Sequence, residues 1–171
     1  MLFNNHTADG VFQDFEQQFK SILYEEYALL NGFHIDCYTI DQYQQLDSVP
    51  KFVDITNDAF AYSIEVKIVN NQRIKFAAIV FSPTLCENLN FTEREKWASI
   101  AHEVGHIIHY FNESLVDAGS MIIETKADEV AIKLGLAEFL KSVLRKLKSS
   151  NLYSAEQCQL MDLRIKILDN N

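Results

Sequence analysis

At 171 residues and a formal net charge of −9, the chain has the length of a single domain and can bury a core of its own. Its apolar fraction of 48%, with 23% charged residues and only two Pro and five Gly, excludes a disordered or linker-rich protein. The acidic balance argues against a nucleic-acid partner, because a phosphate backbone is repelled. No apolar run approaches the roughly eighteen residues of a membrane span.

The first residues, Met1 to His6, have no basic segment and no apolar stretch of signal-peptide length. Cys37, Cys86 and Cys158 are few, odd in number and widely spaced. They make neither a disulfide framework nor a paired zinc-ligand pattern, which fits a reducing compartment. The expectation is a soluble, cytoplasmic protein with no membrane partner.

In chain order, Asp9 to Leu30 predicts a helix with a wide apolar face of Val11, Phe12, Phe15, Phe19, Ile22, Leu23 and Tyr27, ended by Asn31-Gly32. Phe33 to Ile40 predicts a strand. Asp41 to Val49 is ambiguous, with a short helix before Pro50 as one reading. Phe60 to Val69 and Arg73 to Ser82 are strands rich in β-branched and aromatic residues. Asn70-Asn71-Gln72 joins them as a hairpin, since Asn tolerates positive φ. Pro83 stops the second strand, and Thr84 to Asn90 reads as a loop. Helices follow over about Thr92 to Phe111, Ser120 to Leu134, Leu136 to Leu147 and Ala155 to Leu168, with Asn112 to Gly119 as a connection. The order predicts an α+β fold: an N-terminal helix, a small, mostly antiparallel sheet of about three strands, then helices on one side. The basic cluster Lys141, Arg145, Lys146 and Lys148 falls at a helix end, where it complements the dipole as a solvated face.

The first of those later helices carries the chemistry. Thr92 and Glu95 form a T-x-x-E capping box at its start, and Trp97, Ile100, Ala101, Val104, Ile108 and Phe111 recur at helical spacing as a buried stripe. Beside the stripe lie His102 and His106. Residues four apart share a helical face, so both imidazoles can reach one ion, with Glu103 next to that ion rather than on it. Zinc held this way lowers the pKa of a bound water to about 7, and a neighbouring carboxylate can take its proton. Gly105 is a poor helix-interior residue, and its presence predicts the close approach of another backbone.

A catalytic zinc normally takes three protein ligands. The next helix offers Glu124 and Asp128, again four apart, with Ala127, Ala131 and Gly135 on or beside the same face. Those small residues would let two helices approach closely. Glu124 would bind the metal, and Asp128 could accept the spare imidazole N–H of His102 or His106 and fix its tautomer. Glu113 and Asp117 are the reserve ligands.

The run His102-Glu103-Val104-Gly105-His106, then seventeen residues, then Glu124-Thr125-Lys126-Ala127-Asp128 resembles the H-E-x-x-H plus E-x-x-x-D pattern of the gluzincin metallopeptidases. The resemblance covers about Phe91 to Leu136. It implies a zincin-like fold, a zinc cofactor on His102, His106 and Glu124, Glu103 as general base and acid, and Asp128 behind the ligands. Leu163-Arg164-Ile165 is similar to the Arg-Ile pair that closes some gluzincin domains. No counterpart can be placed for the His, Tyr or Arg that stabilises the oxyanion in larger relatives; Tyr110 is one candidate.

His109 lies nearly in line with His102, but a straight helix cannot easily bring a third imidazole to one zinc, so an edge or structural role is expected. His6 and His34 read as structural. Cys86 reads as an ordinary cysteine rather than an inhibitory thiolate on the metal. The function expected is zinc-dependent hydrolysis of an extended peptide or protein substrate, paired with an exposed sheet edge. The competing readings are a non-catalytic zinc- or peptide-binding regulatory module, and hydrolysis of a non-peptide amide at the same metal.

Overall fold

A computed structural model describes residues 1–46, 58–112 and 119–171. The described chain falls into two compact units, Met1–Pro83 and Thr84–Asn171. The end of the ambiguous stretch before Pro50, and the reserve ligands Glu113 and Asp117, lie outside the described residues.

The first unit holds the sheet. Strand β1 (Phe3–Asn5) precedes helix α1 (Val11–Glu26), which is followed by a 3-10 turn at Ala28–Leu30. α1 thus ends at Glu26, capped by Tyr27, and not at Leu30 as expected; Gly32, with φ +79 in the left-handed region, follows the 3-10 turn instead. Strand β2 (Ile35–Thr39) runs into a short helix, α2 (Ile40–Gln44), capped reciprocally by Thr39 and Gln42. Strands β3 (Phe60–Val69) and β4 (Gln72–Phe81) form the long hairpin. Asn70 and Asn71 both have positive φ, 52 and 64, as a two-residue type I′ turn requires.

The sheet corrects the expected one in two respects. Among the described residues it has four strands, not three, in the order β1-β2-β4-β3. It is also mixed rather than mostly antiparallel: β1 pairs with β2 and β2 with β4 in parallel, and only β3 with β4 is antiparallel. β1 is three residues long and joins its neighbour across about thirty positions, pairing Phe3 with Ile35. No local alternation announces so short a strand. Its entry is held by Glu16 of α1, whose buried carboxylate accepts from Leu2 N–H at 2.7 Å and Phe3 N–H at 3.2 Å.

Phe12 of α1 packs edge-on against Phe60 and Phe81, and both Phe12 and Phe15 meet Phe3, so α1 covers one face of the sheet. Val80, on the opposite face by the alternation of a strand, packs with Tyr43 of α2. Helices therefore cover both faces here, not one. Among the described residues the sheet's two edges are β1 and β3.

The second unit is helical: α3 (Pro83–Asn88), α4 (Glu93–Phe111), α5 (Ser120–Lys133), α6 (Ala137–Ser149) and α7 (Ala155–Leu168). The expected loop after Pro83 is thus mostly a short helix, with Pro at its first turn, where the missing N–H costs nothing. α4 packs on α5 and α6, and α7 on α5 and α6. The basic cluster of α6 is not a plain solvated end. Lys141 is buried and paired with Glu138 and Asp169, Lys146 with Glu95, and Lys148 with Asp162. Among the described residues no helix is long and apolar enough to cross a membrane.

Candidate metal centre

α4 starts where its capping box predicts. Thr92 accepts from the Glu95 N–H, and Glu95 accepts from the Thr92 N–H at 2.6 Å. Its burial exceeds the expected stripe. Ile100, Ala101, Val104 and Ile108 are buried, while Trp97 and Phe111 are only partly so. From Ala98 to Ile108 every residue is buried, including His102, Glu103 and His106. Two imidazoles and a carboxylate are thereby held away from bulk water, where their interactions are stronger.

α5 lies close against α4 because Gly105 has no side chain. A Cβ built there would stand 2.7 Å from the Ala127 Cα, inside any allowed contact. The close approach expected at Gly105 is therefore made by the α5 backbone at Ala127. His109 adds a tie between the same helices, its Nε2 lying 3.0 Å from the Lys126 carbonyl, a structural role.

This contact brings Glu124 and Asp128 over the histidines. The Nε2 atoms of His102 and His106 are 3.0 Å apart. One Glu124 oxygen is 3.3 Å from His102 Nε2 and the other is 3.5 Å from His106 Nε2. These three residues form a group that could hold a metal ion. Ligands at about 2.0–2.1 Å around a tetrahedral zinc are separated by about 3.3–3.4 Å; the imidazole nitrogens at 3.0 Å, and their contacts of 3.3 and 3.5 Å to the two different Glu124 oxygens, lie near that value. The donor set of two imidazole nitrogens and a carboxylate oxygen also suits zinc chemically.

Asp128 lies behind the candidate ligand His102. Its Oδ1 is 2.7 Å from His102 Nδ1, so the Nδ1–H donates to the carboxylate and Nε2 faces the centre. Arg164 of α7 closes the arrangement from the other side. Its Nε and Nη2 donate to the two oxygens of Asp128 at 2.9 and 2.6 Å, and Nη1 donates to Glu124 at 2.8 Å. In the sequence Arg164 stands out only through the likeness of Leu163-Arg164-Ile165 to a domain-closing pair, which assigns it no place among the site residues. Its position, 36 residues beyond Asp128, leaves no local spacing signal.

The electrostatics follow from this packing. Burial and Arg164 both push the His102 pKa down, but Asp128 and Glu124 outweigh them and raise it. Burial and the charge of His102 lower that of His106. Burial disfavours ionised Glu124 and Asp128, yet His102 and Arg164 hold both below the usual carboxylate range. Three carboxylates, Glu103, Glu124 and Asp128, meet one guanidinium; the raised pKa of His102 adds a second positive charge, and with His102 neutral, as a metal ligand is, the excess is two negative charges. A divalent cation would balance it.

Other candidates lie elsewhere. His6 stacks on Tyr38 and pairs with Asp36 at 3.0 Å, and His34 contacts the Met1 carbonyl. Cys86 is buried in α3, outside the ligand group. Tyr110 is 46% exposed with its ring against Phe111. Comparison of the chain with protein-family models, curated proteins and solved structures gives no match.

Proposed function

We propose that the protein is a zinc-dependent metallopeptidase of the gluzincin type on a zincin-like scaffold. The observation that carries this reading is the convergence of His102, His106 and Glu124 from two helices, with donor atoms close enough to share one ion, next to the buried Glu103. His102, His106 and Glu124 would hold the ion. Zinc supplies Lewis acidity there, polarising a peptide carbonyl and making a water easier to deprotonate. Glu103 would be the general base and acid of this chain, taking the proton of an attacking water and passing it to the leaving amine. Asp128 keeps His102 in the tautomer that turns Nε2 to the centre, and Arg164 keeps both carboxylates in place.

One observation favours the competing reading, a zinc- or peptide-binding regulatory module without turnover. Nε, Nη1 and Nη2 of the guanidinium beside the centre each donate to Asp128 or Glu124, which engages them with carboxylates and not with an oxyanion.

Elemental analysis of the purified protein and of His106→Ala tests the centre: about one zinc per chain, lost in the variant, is expected. Wild type that takes up no metal, even when incubated with zinc, would remove the proposal. Glu103→Gln separates the two readings. For the peptidase it keeps zinc and loses about 10²–10⁴-fold in peptide-library cleavage; zinc-loaded wild type that cleaves nothing selects the binding module.

A further inference from the structure

The hairpin carries an exposed apolar surface. β4 pairs with β2 only over Ala77–Phe81, so Gln72–Phe76 and the part of β3 opposite them extend beyond β2. In that part Ile68 is 75% exposed and Val66 42%. Among the described residues β3 pairs with β4 alone, which leaves a ten-residue edge. Such edges are templates for another strand.

The β3 sequence selects the partner. Two copies of a strand related by a two-fold axis pair antiparallel about a central residue, and directly opposed residues share a face. Centring on Glu65 sets Glu against Glu, and centring on Lys67 sets Lys against Lys. Centring on Val66 sets Glu65 against Lys67 of the other copy, twice. On the opposite face the same register sets Val66 against Val66 and Ile64 against Ile68, twice. Glu65 and Lys67 already share a face, with Nζ 3.2 Å from the carboxylate. We propose that β3 is a self-docking edge, which pairs antiparallel with β3 of a second copy about a two-fold axis at Val66 and joins two four-stranded sheets into one.

The register makes the test specific. Glu65→Lys puts four lysines around the axis and Lys67→Glu puts four glutamates there, so each weakens the dimer by about tenfold or more. Mixing the two variants restores complementary pairs, because every Lys then faces a Glu. The double exchange E65K/K67E restores them within one chain. Analytical ultracentrifugation of the full chain at about 0.1 mM, well above a micromolar dissociation constant, should show a dimer for the wild type, for the mixture and for the double variant, and a shift to monomer for each single variant. Circular dichroism checks that the single variants fold, and the mixed sample scores the register even if one is less stable. A monomeric wild type would overturn the proposal and leave the edge to a strand of another protein. A dimer equally strong in the single variants would place the interface elsewhere.

Discussion

Two buried polar clusters hang on α4, and they are completed differently. At its start the Glu95 carboxylate meets the Thr92 N–H, the Ser142 hydroxyl and the Lys146 ammonium, so a single anion is surrounded by donors. Two turns on, His102 and His106 direct Nε2 atoms at each other across 3.0 Å, with room for at most one shared proton, and Glu124 faces both. The first cluster is balanced by protein groups and works as a cap. The second has its donors and acceptors aimed at a common point with an excess of negative charge, the arrangement that a cation completes. Burial is similar in the two clusters, so burial alone does not mark a functional site. What marks it is whether the partners satisfy one another.

The sharpest way to break that contrast is to add the ion. Zinc at about a thousand times its dissociation constant should stabilise the fold by about 4 kcal/mol, read as a higher midpoint in thermal or urea unfolding. His106→Ala should show no such gain, and an equal gain in that variant would place the ion elsewhere. Gly105→Ala tests the helix contact itself. Its methyl group must push Ala127 away, costing about 1–3 kcal/mol of stability, and it should weaken zinc binding because Glu124 lies three residues before Ala127 on α5. Asp128→Asn keeps the shape and removes the charge that holds the His102 N–H. Zinc affinity should fall by about 10–100-fold, as isothermal titration would record; unchanged affinity would end the tautomer argument.

The smallest effect belongs to the cap. Burial pushes the Glu95 pKa up, but Lys146, Ser142 and Thr92 more than reverse this and hold it below its ordinary value of 4.5. A carboxylate with a lowered folded-state pKa contributes stability above its unfolded value, and that contribution is lost as pH falls through the folded one. Stability should therefore decline below about pH 4.5 in part through Glu95. Glu95→Gln should flatten that limb while costing about 1 kcal/mol at neutral pH. Zinc content of this variant at neutral pH should match wild type, which separates the two clusters functionally.

How far the sequence reached depends on the range of each interaction. The start of α4, the shared face of His102 and His106, the pairing of Glu124 with Asp128, and the Asn70-Asn71 turn each rest on residues within four positions of one another, where helical or turn geometry leaves little choice. The need for a glycine at 105 was also readable, because its propensity cost demands a compensation. The identity of the opposing backbone, Ala127, was not.

Only the tertiary structure decided the rest. β1 exists because Phe3–Asn5 finds β2 and Glu16 holds its first N–H groups, and three residues carry too little local preference to declare a strand. The parallel pairing of β2 with both neighbours, in place of a plain meander, depends on connections that no periodicity encodes. Arg164 reaches Asp128 and Glu124 from a helix some forty residues on, and its role arises only once α7 packs against α5. Local chemistry in the sequence named the candidate ligands, while long-range packing decided how closely the two helices approach and which buried charge holds the carboxylates in place.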